Sequence, residues 1–357
     1  MICFLTGTLN ALAGAERMTA VIANALAERG YQVCIISLWD KQSAFALHPS
    51  ITHISLHARR PSFKWAYAAT VMGIRRAVKQ YGIGVLIEVD TMLALFTLPA
   101  TLGLGVRHIA WEHCHVDQDL GKPMRRVARI LAARLHSAVV VLTARDSDRW
   151  RAALRPRSQM VVIPNPLPFA FPPLPAARAT KTVLAVGRLT HAKGFDLLLR
   201  AWARVAPGTR DWRLVIVGEG EERAALEALR DTLGLRDSVE LPGSRTDIAE
   251  AYRQAAVFCL SSRYEGFGLV LLEAMSFGLP VVATDCETGP RELLSNQKNA
   301  LTVGICDQAI ARGIAQLIEQ PALAARIARA GREFAGHYTV ECVLDLWIRL
   351  LDRDLSI

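Results

Sequence analysis

The chain has 357 residues, is 52% hydrophobic and carries a formal net charge of +9, ample apolar material for two domain cores. Its seven scattered cysteines lack any CxxC or Cys/His spacing, which excludes a disulfide framework and a structural zinc site and points to reduced, buried thiols. The charge is uneven: residues 1–165 hold 20 Lys/Arg against 10 Asp/Glu, leaving 22 against 23 for residues 166–357, so an anionic partner is expected for the first half.

Met1–Leu5 has no basic segment before it and runs into a glycine loop, so it reads as a first strand rather than a signal peptide. Ile2–Gly7 is predicted as that strand, Thr8–Glu16 as a small-residue loop containing Gly14, and Arg17–Arg29 as an amphipathic helix closed by Gly30. Strands follow at Tyr31–Leu38 and Ile51–Leu56, then a helix at Lys64–Tyr81 and a strand at Val85–Val89. The longest apolar run, Thr91–Val106, is short for a membrane span and contains Pro99; it reads as a buried crossover helix. His108–Trp111 and Ala138–Leu142 are strands, with a helix ending at Leu131–His136. This alternation predicts an α/β fold with a mostly parallel, doubly wound sheet.

Six prolines between Pro164 and Pro175 mark a linker. The expected division is 1–165, a linker 166–180, a second domain 181–338, and a terminal segment 339–357. In the second half strands are predicted at Val183–Val186, Arg213–Val217, Val239–Leu241, Ala256–Leu260, Val281–Thr284 and Ala300–Val303. Helices are predicted at Phe195–Val205, Glu221–Leu233, Ile248–Ala255 and Phe267–Phe277, and from Gln308 onward.

The stretch Phe258–Leu294 organises the chain. A polar loop, Ser261–Gly266, joins a strand to a helix flanked by glycines, with Glu265 before the helix and Glu273 within it. Eight helical residues span roughly 12 Å, and a glycine-flanked helix start is a site for phosphate. Carboxylate, phosphate site and carboxylate suit a ligand with a central diphosphate and hydroxyl-rich rings at both ends, such as a nucleotide sugar. Gly187-Arg188-Leu189-Thr190-His191-Ala192-Lys193-Gly194 follows another strand; Arg188 offers a donor fork and Lys193 a point charge, both matched to a diphosphate. Gly14 lets backbone approach a phosphate.

The string YEGFGLVLLEAMSFGLPVVATD (264–285) resembles the E-x7-E signature of the retaining family 4 glycosyltransferases of GT-B fold, and the resemblance covers most of the chain. It implies two Rossmann-like domains facing across a cleft, with a last helix near Val340–Leu351 crossing back onto the first. It further implies that Arg188 and Lys193, with the amides around Gly266, Phe267, Gly268 and Leu269, hold the departing diphosphate. Glu265 then holds hydroxyls of the transferred sugar and Glu273 those of the ribose. Arg245, in Gly243-Ser244-Arg245, sits where the family reads the base. Ala13-Gly14-Ala15-Glu16-Arg17 resembles its glycine loop, with Ala13 where glycine is common. His113, in Trp111-Glu112-His113-Cys114-His115, matches a histidine that reaches the donor sugar or reaction centre, with His115 a looser candidate. Cys286–Leu293 resembles a loop bordering the donor pocket, and Ile163–Pro166 a hinge turn.

Two DxD triplets, Asp117–Asp119 and Asp146–Asp148, end no apolar strand and read as solvated loop or helix-start residues. No metal and no cofactor beyond the nucleotide sugar is expected, because Arg188, Lys193 and the helix start take the metal's place. Two basic stretches are candidates for the acceptor or an anionic membrane surface: Arg59, Arg60 and Lys64 among aromatics, and Lys122, Arg125 and Arg126 at a helix start. No nucleic-acid-binding motif accompanies them. The expected protein is a cytoplasmic enzyme attached peripherally to the inner face of the membrane. It transfers a hexose or N-acetylhexosamine, UDP-linked with GDP-mannose open, to a lipid-linked or growing glycan with retention. A non-catalytic binding subunit of the same fold and a sugar-nucleotide epimerase are the alternatives.

Overall fold

A computed structural model describes residues 1–352 apart from 12, 120, 179, 246 and 288. The chain divides into two compact units, Met1–Pro168 with Val340–Ile357, and Phe169–Thr339; the last five residues of the expected terminal segment, 353–357, and Thr288 of the Cys286–Leu293 loop lie outside the described residues.

In the first unit the order is β1 (Ile2–Thr6), α1 (Gly14–Glu28), β2 (Val33–Trp39), β3 (Thr52–His57), α2 (Phe63–Tyr81), β4 (Val85–Glu88), α3 (Ala94–Thr101), β5 (Arg107–Trp111), α4 (Met124–Leu135), β6 (Ala138–Val141), α5 (Ala144–Leu154) and β7 (Gln159–Val162). The strands form a seven-stranded sheet in the order β3-β2-β1-β4-β5-β6-β7, parallel throughout. β1 and β6 are nearly continuous buried apolar runs, the pattern of strands covered on both faces. The chain order reverses between β1 and β4, which makes the loops after them the switch point where such sheets bind ligands.

Two expectations shift here. Gly14 opens α1 rather than lying in the preceding loop. Thr91–Val106 is not one helix: a 3-10 turn, Thr91–Leu93, precedes α3, because the Asp90 carboxylate caps the Met92 amide at 2.8 Å. α3 then ends before Gly103 and Gly105, both at positive φ.

The helix α13 (Val340–Asp352) belongs to this unit. Trp347 packs edge-on against Trp111 with centroids 4.9 Å apart. Arg107 donates to the Leu350 and Leu351 carbonyls at 2.8 and 3.1 Å, satisfying groups that a helix C-terminus leaves open.

The second unit runs β8 (Thr182–Val186), α6 (Phe195–Val205), β9 (Arg213–Val217), α7 (Arg223–Thr232), β10 (Val239–Gly243), α8 (Ile248–Gln254), β11 (Val257–Leu260), α9 (Leu269–Ser276), β12 (Val281–Thr284), α10 (Gly289–Leu293), β13 (Leu301–Val303), α11 (Asp307–Glu319) and α12 (Pro321–Ala335). Its parallel sheet has the order β10-β9-β8-β11-β12-β13, with the switch point between β8 and β11. The core gathers Val183, Leu198, Trp202, Ile216, Val282 and Ile314. Gly313 lets α11 lie close on the sheet: a Cβ there would stand 2.9 Å from Val282 Cγ1.

Beneath the β4 end, Glu88 is fully buried. Its two oxygens lie 2.7 Å from His108 Nδ1 and His136 Nε2, and Thr97 donates to it at 2.6 Å. Burial raises this carboxyl, but the charge of His136 and the hydrogen bonds of both histidines outweigh it and hold Glu88 at about 2, below its ordinary 4.5. A depressed acid stabilises the fold above its unfolded value and loses that contribution as pH falls toward the folded one. Glu88→Gln should therefore lower stability near neutrality by roughly 3 kcal/mol. In urea titrations the variant should also lack the wild type's loss of stability between pH 4.5 and about 2.

Candidate functional site

The second unit's site forms where the β8 and β11 loops meet. Gly194, at φ +61, makes the approach possible: a Cβ there would stand 2.2 Å from the Ser261 carbonyl. The Ser261 hydroxyl donates to the Lys193 carbonyl at 2.9 Å. Arg263 donates its amide to Ala192, its guanidinium to His191, and a bidentate pair of 2.7 Å bonds to Asp196. So stitched, the loops bring Lys193 Nζ within 2.6 Å of Glu265 Oε1, which also accepts from the Ser262 hydroxyl at 2.7 Å. The pair is largely withdrawn from water, with 21% and 9% side-chain exposure.

α9 starts later than its sequence pattern suggests. Gly268, at φ +82, is its N-cap, so Gly266 and Phe267 precede the helix and Leu269 is its first residue. The helix therefore covers only half the interval between Glu265 and Glu273, so the rise of an unbroken helix does not set their spacing. The left-handed glycine is the reason: it turns the chain before helical bonding begins. Its N-cap, a glycine, has no side chain to cap the first turn, and the leading amides of a helix are the groups such a start offers to an anion. The corner is shored by Gly289, where a Cβ would stand 2.2 Å from the Phe267 carbonyl. Within Cys286–Leu293, read from the sequence as a loop, residues Gly289–Leu293 form the short helix α10; proline is tolerated in a first helical turn, where its missing N–H costs nothing.

Glu273 faces inward, 3% exposed, and accepts from the Tyr252 hydroxyl at 2.7 Å. Arg188 is not drawn to Lys193; its guanidinium, 74% exposed, pairs with Glu221 at 3.3 Å. Arg245 is exposed beyond β10.

In the first unit, the ends of β4 and β5 carry a buried charge network. Arg125 donates to both Asp90 oxygens at 2.9 and 2.7 Å and to Glu112 at 3.4 Å. Arg129 reaches Glu112 at 3.3 Å, and Asp90 itself holds φ +138. Arg125, 2% exposed, is thus an internal ion-pair residue and not part of a basic surface, contrary to the sequence expectation. Its position on the face of α4 toward the β4 end is the cause. His113 packs against Trp111 in a tilted arrangement, with centroids 4.5 Å apart. Burial pushes its imidazole down to about 4, against a smaller upward pull from Asp90, so it is neutral near pH 7. Its buried Nε2 has no partner among the described residues. Gly14, in the uncapped first turn of α1, shares that turn with Glu16, whose carboxyl burial raises.

The DxD triplets separate. Asp117 pairs with Arg149 at 2.9 Å and Asp119 is exposed. Asp146, expected to be solvated, is buried; it accepts from the Val116 amide at 3.1 Å, and burial raises it to about 6. Among the described residues the one trio of metal-ligand type is Glu88, His108 and His136. Their 2.7 Å contacts are hydrogen bonds; two ligands of one tetrahedral ion at 2.0–2.1 Å stand about 3.3 Å apart.

On α4 the outward face carries Met124, Val127, Ile130 and Leu135, all exposed, among Arg126 and Arg134, while Ala128, Ala132, Ala133 and Arg129 face inward. Lys122, Arg59, Arg60 and Lys64 are exposed, and Lys64 lies over the ring of Trp65, itself 83% exposed. No helix among the described residues is long and apolar enough to cross a membrane.

Sequence reading missed Ser262, Tyr252 and the Asp90–Arg125–Glu112 network. Tyr252 and the Asp90–Arg125–Glu112 network join segments far apart in the chain, which no local spacing signals; Ser262 lies three residues from Glu265, but its partner depends on the turn the loop takes.

Residues 169–334 match the family described as glycosyl transferases group 1, and residues 12–171 match glycosyltransferase family 4. An uncharacterized glycosyltransferase of Haemophilus influenzae is 31% identical over 98% of this chain and 99% of its own length. The amylovoran biosynthesis glycosyltransferase AmsD of Erwinia amylovora is 27% identical over 95% and 96%. A Campylobacter jejuni α-1,4-N-acetyl-D-galactosaminyltransferase, named for a diNAcBac-PP-undecaprenol-linked acceptor, is 24% identical over 98% of each chain. Among solved structures, sucrose-phosphate synthase of Thermosynechococcus elongatus superposes with TM-score 0.85 at 20% identity, covering 99% of both chains. Anabaena Alr3699/HepE in complex with UDP superposes with TM-score 0.82 at 21% identity over 98% and 99%. The two parallel sheets are those of the GT-B fold, and the chain belongs to the group 1, family 4 glycosyltransferases.

Proposed function

We propose that the protein transfers a hexose or N-acetylhexosamine from a nucleotide-diphosphate sugar, UDP-linked, to a lipid-linked or growing glycan, with retention and without a metal. The observation that carries this is the Lys193–Glu265 pair at the β8/β11 switch point, beside the uncapped start of α9. A half-buried lysine and a row of amides form a fixed positive site for a diphosphate, and the carboxylate beside them accepts hydrogen bonds from sugar hydroxyls. The UDP complex of Anabaena HepE and the polyprenol-linked acceptor in the name of the Campylobacter relative support the donor and acceptor classes.

In this reading Lys193 and the Leu269 and Val270 amides hold the diphosphate, and Arg188 leaves Glu221 to join them. Glu273, braced by Tyr252, takes ribose hydroxyls, and Gly243–Arg245 faces the base. The bond from the anomeric carbon to the phosphate oxygen breaks, and the acceptor oxygen bonds to the same face. The acceptor's proton passes to the leaving phosphate oxygen. Glu265 orients the sugar, and the neutral His113 imidazole offers a hydrogen bond to a sugar hydroxyl.

For the acceptor, the outward face of α4 mixes apolar side chains with Arg126 and Arg134. Such a face suits an anionic lipid surface, with cations at the headgroups and apolar groups below them. We place the enzyme at the cytoplasmic side of the membrane on that ground.

Arg188→Ala should slow transfer by about 10²-fold in a radiolabelled-sugar assay; near-normal turnover removes it from the mechanism. Activity with the preferred donor, chosen by screening UDP and GDP sugars for hydrolysis, should survive EDTA. Sedimentation with phosphatidylglycerol vesicles should be strong at low salt and weaken as salt rises, and Ile130→Glu should reduce it. Binding indifferent to salt and to that change rules out the lipid-surface role.

A further inference from the structure

Arg223, the first residue of α7, ties together the turns that follow β9 and β10. Its Nε donates to Glu219 Oε2 at 2.7 Å and its Nη2 to Glu219 Oε1 at 2.6 Å, a fork-to-fork pair. Nη2 also reaches the Gly218 carbonyl at 3.2 Å. Nη1 donates to Glu227 at 2.7 Å and to the Leu241 carbonyl at 3.3 Å. These bonds match the full set of five guanidinium N–H donors. Two of the acceptors are backbone carbonyls on neighbouring strands, Gly218 just after β9 and Leu241 within β10.

The clamp acts on an irregular turn. β10 breaks register between Glu240 and Gly243, and Gly243 turns at φ +88. A Cβ on Gly243 would stand 2.9 Å from Glu219 Oε1, so the paired carboxylate forms the wall against which the turn lies. The Gly218 amide donates to the Gly243 carbonyl at 3.0 Å. Gly218 in turn presses on the β8 loop, where a Cβ would stand 1.8 Å from the Gly187 carbonyl.

We infer that Arg223 is a positioning residue for the nucleotide: by holding Glu219 against Gly243 and joining Gly218 to Leu241, it sets the turn Gly243–Arg245 that faces the base. The inference rests on the donor reading above. Releasing Glu219 would both free the turn and leave an uncompensated carboxylate beside an anionic ligand. Lysine supplies the charge but not the planar fork.

The test measures UDP and GDP binding to the full chain by calorimetry, with donor hydrolysis kinetics, for wild type, Arg223→Ala, Arg223→Lys and Glu227→Ala. Arg223→Ala should weaken the preferred nucleotide at least tenfold, narrow the UDP/GDP ratio and raise the donor KM, with kcat at saturating donor within about twofold of wild type. Arg223→Lys should recover little of the loss. Glu227→Ala, which removes the bond leading away from the turn, should bind as wild type. Unchanged binding by Arg223→Ala overturns the inference alone. So does an equal loss for both nucleotides that lysine fully restores, which would mark a merely structural arginine. A wild type that binds neither nucleotide overturns the donor reading, and the inference with it.

Discussion

The second unit depends on one close approach. The backbone at Gly194 and that at Ser261 meet without room for a methyl group, and this contact carries an ammonium to a carboxylate in a place water hardly reaches. Alone, either charge would be costly to bury; together, each satisfies the other's field. The parallel order of the sheet makes the meeting possible, because β8 and β11 are neighbours whose connections leave in opposite directions. The switch point opens a gap, and the glycine lets two loops close it from both sides.

The first unit handles charge differently. Its strand ends bury most of two networks, Glu88 with two histidines and Glu112 with two arginines, the second reaching the part-exposed Asp90. Part of the basic excess counted in residues 1–165 is therefore internal. What remains outside on α4 stands among exposed apolar side chains. That helix reverses the usual soluble arrangement: its arginines Arg125 and Arg129 point in, and Ile130 and Leu135 point out.

Much of this was legible in the residues. Alternation of apolar runs and helical periods located nearly every strand, since parallel strands buried on both faces announce themselves as unbroken apolar stretches. α6, β9 and β12 fall within the predicted limits residue for residue. The glycines around Glu265 and Lys193 marked the loops that the structure joins. Partners stayed hidden wherever they were supplied by tertiary packing. Tyr252 reaches Glu273 across 21 residues and Arg125 reaches Asp90 across 35, and no periodicity encodes such a meeting. Arg223 is intermediate. Its spacing of four from Glu219 and from Glu227 is visible in the sequence as a helical charge ladder, but its bonds to two strand ends are not. The late start of α9 was missed because Gly268 looks like any helix-edge glycine until its φ is known.

The cysteines have a practical consequence. Cys3, Cys34, Cys259 and Cys286 are buried, whereas Cys306 and Cys342 are exposed, one on each compact unit. A thiol-directed label would thus reach one native site on each unit without engineered cysteines, so each unit carries its own handle for a spectroscopic probe.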